Sequence, residues 1–229
     1  MRTKVFIVMY NRLQWPKQMA EFLSDTGCEP ILIDNNSTYQ PLLDWYKTCP
    51  YKTHLLNKNY GERVFWDSKL FNEYTDEYYV VTDHDLDLSE LPHDYIDKMK
   101  IGLDGNQTIT KCGLSLQLND LPETNYGKIA KGCELKYWET KDNNGYWIAG
   151  VDTTFALYDR KRQESGWDYG DKFYYGIRTP EPYTVKHLPW YFNLDSINND
   201  EEKWYQSHSD KLWTTVYRNE YKINLNENN

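Results

Sequence analysis

Short apolar runs that each end in polar residues recur through the first hundred residues, and they constrain the fold more than any other feature. Such runs occupy residues 4–9, 30–37, 53–61 and 78–83, the third running into a loop at Asn59 and Gly61, and they predict buried strands. Helical patterns separate or follow them at 14–27, 41–47, 64–74 and 91–102, the last with Ser89 as its cap and Pro92 near its start. Strands that alternate with helices predict a parallel α/β sheet.

Polar clusters follow three of these predicted strands, at Tyr10–Arg12, Asp34–Ser37 and Asp83–Asp87. Parallel strands point their carboxyl ends to one edge of the sheet, where α/β proteins bind ligands. Three clusters on the same edge are typical of a nucleotide site. The chain has neither GxGxxG after its first strand nor GxxxxGK[ST] anywhere, which argues against a dinucleotide fingerprint and against a P-loop.

The pattern changes after residue 103. Apolar runs at 111–118, 153–160 and 183–192 predict further strands, separated by loops rich in Asn, Gly, Asp and Tyr. No linker or internal repeat divides the chain, so we expect one domain. We expect the last residues, 223–229, to fray.

Composition excludes several classes of protein. The formal charge is −9 and the pI about 5.1, so nucleic acid is not expected as a partner. No apolar stretch approaches the ~18 residues of a membrane-spanning helix. The cysteines (Cys28, Cys49, Cys112 and Cys133) form no CxxC pair. We therefore expect a cytoplasmic protein with reduced thiols and no integral membrane segment, peripheral to a membrane at most.

Asp83 and Asp85 stand at alternate positions at the end of the fourth predicted strand, so their side chains can converge on one point. Two close carboxylates repel each other where the dielectric constant is low, and they usually need a cation. Hard oxygen ligands suit Mg²⁺ or Mn²⁺, and such an ion can hold a diphosphate. The alternative is a solvated acidic turn that caps the following helix.

Several segments, in this order and spacing, resemble GT-A glycosyltransferases. VFIVMYNR, ILIDNNST, the loop around Asn59 and Gly61, and VVTDHDLDL resemble the nucleotide-sugar half of inverting family 2-like enzymes. GLSLQLNDLP, VDTTFALY and IRTPEPYTVKHLPWY resemble short bacterial and viral glycosyltransferases that build surface polysaccharides. The resemblance implies a single α/β domain of GT-A fold over residues 1–229 with a mixed central sheet. Its Rossmann-like, nucleotide-sugar-binding half spans 1–103 and its acceptor-facing half 104–229.

The resemblance also implies an activity and a set of nucleotide contacts. The enzyme would be hexosyltransferase-like and would move a sugar from a nucleotide-sugar, most commonly a UDP-sugar in this fold, to a glycan or lipid-linked acceptor. The implied nucleotide contacts are Tyr10, Asn11, Arg12, Asp34, Asn59, Gly61, Arg63 and Asp83. Asp34 equally fits an Asx-turn, and Arg63 equally fits a surface ion pair.

The DxD motif of the family falls on Asp83-His84-Asp85, so the resemblance implies Asp85 as the main metal ligand. Asp83 would contact the ribose, or the metal through water. Asp85-Leu86-Asp87 forms a second DxD, and we favour the first because Asp83 directly ends the apolar strand. His187 matches a late histidine that touches the metal or diphosphate in several GT-A enzymes, with Mn²⁺ or Mg²⁺ as the cofactor. A core histidine bonded to backbone is the alternative.

Inverting transfer needs one general base, which removes the proton from the acceptor hydroxyl. Asp152 is the first candidate, because it follows a flexible Ala-Gly and precedes an apolar run, as a residue on a pocket floor would. Asp120 and Glu181 are rivals, and the other interpretation of Asp152 is a strand-start cap. The chain lacks a clear Glu-Asp pair at a helix N-terminus, which is common in the family.

Candidate sugar-stacking residues are Trp138, Trp147, Trp167, Trp190 and Tyr191. Trp190 and Tyr191 are favoured because they follow His187 closely, and with Asp120 they form the predicted acceptor and sugar contacts.

Two other classes of function stay open. A nucleotidyltransferase, which joins a nucleoside triphosphate to a sugar phosphate, shares the Rossmann-like half and the acidic metal ligands. It normally has a Gly-rich loop after the first strand, where this chain has YNRLQWPKQ. A non-enzymatic carbohydrate-binding module fits the 9 Trp, 21 Tyr and 7 Phe residues but leaves the polar clusters unexplained.

Overall fold

A computed structural model describes residues 2–164, 171–193 and 199–209. The first half contains β1 (Lys4–Met9), α1 (Gln14–Asp25), β2 (Glu29–Asp34), α2 (Gln40–Tyr46), β3 (Lys52–Leu55), α3 (Val64–Asp67), β4 (Tyr78–Asp83), β5 (Leu86–Asp87) and α4 (Tyr95–Gly105). The second half contains β6 (Lys111–Gly113), β7 (Ser115–Leu116), α5 (Asn125–Glu134), β8 (Trp147–Ile148), β9 (Ala156–Asp159), α6 (Arg160–Glu164), β10 (Ile177–Arg178), β11 (Thr184–His187) and α7 (Asp200–His208). Short 3-10 helices cover Leu70–Glu73, Leu135–Trp138, Asp171–Tyr174 and Leu188–Tyr191.

Eight strands form one mixed sheet in the order β3-β2-β1-β4-β9-β6-β10-β8. β1 pairs in parallel with β2 and β4, and β2 pairs in parallel with β3. β9 runs antiparallel between β4 and β6 and so joins the two halves of the chain. The parallel first half and the mixed central sheet are both confirmed.

A second, small sheet has the order β5-β11-β7 and lies where β4 ends. Its central strand β11 runs antiparallel to β5, with His187 opposite Leu86. The backbone N–H of Leu188 donates to the carbonyl of Asp85 at 2.9 Å. This pairing brings His187 to the aspartates, although the two are far apart in the sequence.

The strand β1 is buried on both of its faces. Val5, Ile7 and Met9 face a hydrophobic cluster that includes α1 and α4, whereas Phe6 and Val8 face a second cluster built around α3. Because neither face meets water, the strand is a continuous apolar run rather than an alternating one.

The structure corrects three local predictions. The helix expected at 91–102 begins at Tyr95 with Asp94 at its cap, and the N–H of Ser89 instead bonds to the Asp87 carboxylate at 2.9 Å. The helix expected at 64–74 is interrupted at Lys69, whose φ of 69° ends α3 before a 3-10 turn. The strand expected at 111–118 divides into β6 and β7, which join different sheets. The tail 223–229 lies outside the described residues.

The structure bears on the expectations of reduced thiols and of no integral membrane segment. All four cysteines lie within the described ranges and are free thiols. No helix in those ranges has the length and apolar character that crossing a membrane requires.

A lysine lies in the protein interior on β6. Lys111 is 0% exposed, and its ammonium donates to the backbone carbonyl of Asp152 at 3.0 Å. The ammonium also lies 4.1 Å from the ring centroid of Phe173 and 5.3 Å from that of Tyr158. Burial lowers the pKa of Lys111 to about 7, with Asp152 opposing the shift and Arg178 adding to it.

This depressed pKa predicts how stability depends on pH. Between pH 7 and pH 10.5 the unfolded chain holds a proton on Lys111 that the folded chain has released, so the free energy of unfolding should rise with pH. The rise approaches about 1.4 kcal/mol per pH unit from this group alone. Lys111→Met should lack it, and urea denaturation of both proteins at pH 7, 8 and 9 would measure the difference. Parallel profiles for the two proteins would contradict the prediction.

Candidate active site

A cleft of about 840 Å³ opens along the carboxyl ends of β1, β2 and β4, a size typical of small-molecule sites. The strand ends contribute Tyr10, Arg12, Asn35, Asp83, His84 and Asp85. The opposite wall contributes Glu134, Tyr137, Asp152, Tyr174 and Arg178, and α7 contributes Tyr205, Gln206 and His208. The clusters after β1 and β4 and one residue of the cluster after β2 therefore reach the same cleft.

Asp85 and His187 meet on the wall of this cleft. His187 Nε2 lies 3.6 Å from Asp85 Oδ2, and the imidazole packs against the ring of Trp190 at 4.7 Å. Asp85 Oδ1 and His187 Nδ1 are both buried without a hydrogen-bond partner among the residues that the structure describes. A buried polar atom normally has a hydrogen-bond partner, so a ligand in the cleft can supply the one that each of these two atoms lacks.

The neighbouring histidine His84 behaves differently. Its Nδ1 donates to the backbone carbonyl of Val8 at 2.8 Å, which is the contact expected of a core histidine. His187 makes no such backbone contact within the described ranges. The described contacts of His187 therefore do not include the backbone bond of the core-histidine alternative that the sequence left open. His84 makes such a bond through Nδ1, while its Nε2 is buried without a partner in the same ranges.

Burial sets the charges of the pair. It lowers the pKa of His187, against the pull of Asp85 and Asp152, so the imidazole is neutral at pH 7 and offers a lone pair. Burial also raises the pKa of Asp85, but His187, His84 and Arg12 outweigh it and leave that pKa below its ordinary value. An ionised carboxylate next to a neutral imidazole is a donor set for a divalent cation.

Asp83 turns toward the loop that contains Asp152. Its carboxylate accepts hydrogen bonds from the hydroxyls of Thr153 at 3.0 Å and Thr154 at 3.4 Å. Burial raises the pKa of Asp83, and the nearby Asp152 and Asp85 raise it further. Asp83 thus links the end of β4 to the loop of the predicted base.

The Asp152 loop is held at several points. The carbonyl of Gly150 accepts a hydrogen bond from Arg178 Nε at 2.9 Å. The N–H of Val151 donates to the carbonyl of Tyr174 at 2.9 Å. The Lys111 ammonium donates to the carbonyl of Asp152. The Asp152 side chain is exposed, and its Oδ1 accepts from the N–H of Thr154 at 2.8 Å. Within the described residues its Oδ2 accepts no hydrogen bond. Asp152 therefore caps the N–H of Thr154 with one carboxylate oxygen and keeps the other available.

The turns after β1 and β2 hold each other in place. The Asn11 side chain accepts from the N–H groups of Thr38 at 2.7 Å and Tyr39 at 3.0 Å. Asp34 accepts from the N–H of Ser37 at 2.9 Å and from the hydroxyl of Tyr46 at 2.9 Å. Neither Asn11 nor Asp34 lines the cleft, so the Asx-turn interpretation of Asp34 describes its present contacts.

Asn35 lines the cleft and organises the loop that was predicted near the nucleotide. Its side chain accepts from the N–H of Tyr60 at 2.8 Å and donates to the carbonyl of Gly61 at 2.9 Å. Asn59, Gly61 and Glu62 then lie on the cleft wall. The sequence analysis identified neither Asn35 nor Glu62 as a site residue. For Asn35 the reason is that an Asn beside an Asp at a strand end predicts a turn.

Arg63 lies away from the cleft wall. Its guanidinium is 3.6 Å from the carboxylate of Asp67, one turn along, which is the surface ion pair that the sequence left open.

Helix α7, which the sequence analysis did not predict, packs over the turn after β1. Arg12 is 2% exposed, pairs with Glu202 at 2.6 Å and lies between the rings of Trp15 and Tyr205, at 4.1 and 3.8 Å. The Tyr10 hydroxyl donates to the carbonyl of His208 at 3.0 Å. Arg12 thus reaches the cleft with its charge already balanced by α7.

The predicted acceptor residues lie apart from one another. Trp190 lines the cleft but is only 3% exposed, so it supports His187 and offers no broad stacking face. Tyr191 donates to Asp120 at 2.6 Å, Asp120 also pairs with Lys186 at 2.8 Å, and neither Tyr191 nor Asp120 lines the cleft. The rival base Glu181 is likewise exposed and off the cleft wall.

The remaining tryptophan candidates also lie off the cleft wall or outside the description. Trp138 and Trp147 pack on each other with ring centroids 5.3 Å apart. Trp167 lies outside the described residues.

Among the described residues, no three His, Cys, Asp or Glu side chains are grouped to hold a metal ion by themselves. Mg²⁺ and Mn²⁺ commonly take one or two protein ligands and complete their coordination with substrate phosphates and water. The unpartnered Asp85 Oδ1 and the neutral His187 fit an ion held in that way.

Comparison of sequences yields no match, either to a protein-family model or to a curated protein. Comparison of structures yields several matches. The chain is similar to GalNAc-T7, solved with UDP, GalNAc and Mn²⁺, with 12% identity and a TM-score of 0.55, over 97% of this chain and 54% of that one. It is also similar to S. aureus TarS, with 12% identity and a TM-score of 0.50, over 98% of this chain and 41% of TarS.

This chain therefore spans about half the length of each of these two structures. Likeness at such low identity establishes the architecture and leaves the activity to be argued from the site. The fold of the chain is the GT-A fold of glycosyltransferases.

Proposed function

We propose that the chain is a metal-dependent, inverting glycosyltransferase that moves a sugar from a nucleotide-sugar, with a UDP-sugar favoured, to a hydroxyl of a glycan or lipid-linked acceptor. The observation that carries the proposal is the pairing of Asp85 with His187 on a cleft that also exposes Asp152. The UDP and Mn²⁺ bound to GalNAc-T7, which shares the fold, support the choice of donor and cofactor.

Asp85 and His187 would hold Mn²⁺ or Mg²⁺ against the diphosphate. The bound ion would neutralise charge on the departing diphosphate. Tyr10, Asn35, Asn59 and Gly61 would contact the nucleotide directly, because they line the same end of the cleft. Asn11 and Asp34 would shape that end of the cleft by holding the turns after β1 and β2 together. Arg12 would contact the nucleotide with the edge of its guanidinium, whose faces are covered by aromatic rings. Arg63 would need to leave Asp67 to reach the phosphates.

Asp152 would act as the general base. Its free Oδ2 takes the proton of the acceptor hydroxyl as the acceptor oxygen bonds to the anomeric carbon. The bond between that carbon and the diphosphate oxygen breaks with its electron pair, and the nucleoside diphosphate leaves. Attack from the face opposite the diphosphate inverts the anomeric carbon. Through its hydrogen bonds with Thr153 and Thr154, Asp83 would fix the position of the Asp152 loop relative to the end of β4.

Replacing Asp85 should remove the metal-dependent binding of nucleotide. UDP with Mn²⁺ should raise the melting temperature of the unchanged protein, since a ligand that binds the native state stabilises it by mass action. Asp85→Asn should lose this rise, because an amide is a far weaker cation ligand than a carboxylate. Thermal-shift measurements with UDP, GDP, CDP and dTDP, each with and without Mn²⁺, also identify the base of the donor.

Asp87→Asn is the matched control, because Asp87 belongs to the second DxD register and accepts the N–H of Ser89. It should keep the full rise in melting temperature. If Asp85→Asn keeps that rise while Asp87→Asn loses it, the register is wrong. If no nucleotide shifts the unchanged protein, the glycosyltransferase proposal fails.

Replacing Asp152 should slow transfer and leave nucleotide binding intact. Removal of a general base costs roughly 10²–10⁴-fold in rate. Asp152→Asn should therefore lower kcat by that range while its thermal shift with UDP and Mn²⁺ equals that of the unchanged protein. The rate is measured as sugar transferred from a labelled UDP-sugar to a mixture of glycans.

The controls are Asp120→Asn and Glu181→Gln, the two rival carboxylates, which should stay within a few-fold of the unchanged rate. A large loss in either control together with full activity of Asp152→Asn would reassign the base.

A further inference from the structure

The cleft continues past Asp152 to a wall that the proposed donor chemistry leaves unused. Glu134 at the end of α5, Tyr137 in the following 3-10 helix, Arg178 on β10 and Tyr174 line this wall. Tyr174 and Arg178 also hold the backbone of Val151 and Gly150, so the wall adjoins Asp152 directly. A molecule that presents a hydroxyl to Asp152 from this side of the cleft would lie against these side chains.

The polar part of the wall is fixed before any ligand arrives. Arg178 NH1 donates to Glu134 Oε1, and both side chains are at most 7% exposed. The guanidinium is further held by the carbonyl of Gly150 and lies 4.3 Å from the ring centroid of Tyr137. Within the described residues Glu134 Oε2 has no hydrogen-bond donor. A rigid carboxylate with an unused oxygen binds hydroxyl groups without the entropy cost of ordering a side chain.

The apolar part of the wall is an aromatic ring that protrudes. Tyr174 is 48% exposed, and its ring is braced by the edge of Phe173 at 5.3 Å and 87°. Its own carbonyl anchors Val151, so the position of the ring relative to Asp152 is set by backbone. A pyranose ring has one face of C–H groups, which packs on aromatic rings, and hydroxyls at its edge, which need fixed polar partners.

We propose that this wall, formed by Glu134, Tyr137, Tyr174 and Arg178, is the acceptor subsite, and that it takes a saccharide whose ring packs on Tyr174 and whose hydroxyls bond to Glu134. The proposal rests on the proposed function, since it assigns the hydroxyl-bearing substrate of the same cleft. It replaces Trp190, Tyr191 and Asp120 as the acceptor contacts, because the Trp190 ring packs on His187 and offers no broad stacking face, and the other two residues lie off the cleft wall.

The test compares two adjacent tyrosines. Tyr174→Ala removes the ring on the cleft, whereas Tyr175→Ala removes a ring that is 65% exposed and off the cleft wall. Saturation-transfer NMR with UDP and Mg²⁺ present measures binding of methyl glycosides of common hexoses, N-acetylhexosamines and hexuronic acids. We expect at least one glycoside to bind the unchanged protein and Tyr175→Ala equally, and to bind Tyr174→Ala about tenfold more weakly.

Absence of binding for every glycoside, or equal binding to both variants, would overturn the subsite. The thermal shift with UDP and Mn²⁺ is recorded on the same samples and should be identical in all three proteins. If that shift is present and no glycoside binds, the subsite fails and the proposed function stands. If a glycoside binds with the expected difference and no nucleotide does, the proposed function fails.

Discussion

The antiparallel pairing of β11 with β5 is the contact on which the candidate site depends. It is short, with only Lys186 and His187 opposite Asp87 and Leu86, and one further hydrogen bond joins Leu188 to Asp85. Yet this register fixes the imidazole of His187 beside the Asp85 carboxylate. A shift of one residue would turn the side chain of His187 to the other face of the small sheet and leave Asp85 without its partner.

The other wall of the cleft depends on the large sheet. β9 enters between β4 and β6, so the loop that precedes it ends beside the carboxyl end of β4. Thr153 and Thr154 bond to Asp83 from that loop, and Lys111 on β6 holds it from behind. The predicted base and the predicted metal ligands therefore have a fixed relation through backbone and buried polar contacts, and this relation does not require a ligand.

The sequence predicted those elements whose cause is local. β1, β2 and β4 are continuous apolar runs because they are buried on both faces. The helical pattern at 14–27 forms α1, which buries Met19 and Leu23 at helical spacing. Likewise, clusters at parallel strand ends had to meet at one edge. The role of Asn35 as the anchor of the Tyr60–Gly61 loop could not be predicted, since that role exists only after β2 and the loop have docked.

Arg12 shows the same limit more sharply. Its position after β1 indicates a nucleotide contact, but the charge that balances it is Glu202, on a helix of low hydrophobic content that no apolar pattern marks. The proposed acceptor subsite escaped prediction for a related reason. Glu134, Tyr174 and Arg178 come from three separate elements, and no short spacing in the chain connects them.

α7, near the end of the described residues, packs on the turn that follows β1, near their beginning. Arg12 owes part of its burial and its counter-charge to α7, through Tyr205 and Glu202, so withdrawal of α7 would break this ion pair and uncover the guanidinium. Tyr205 and His208 of the same helix form part of the cleft. Docking of α7 and occupation of this end of the cleft are consequently linked equilibria. A ligand that contacts both sides holds the helix down, and a docked helix strengthens the binding of that ligand by the same factor.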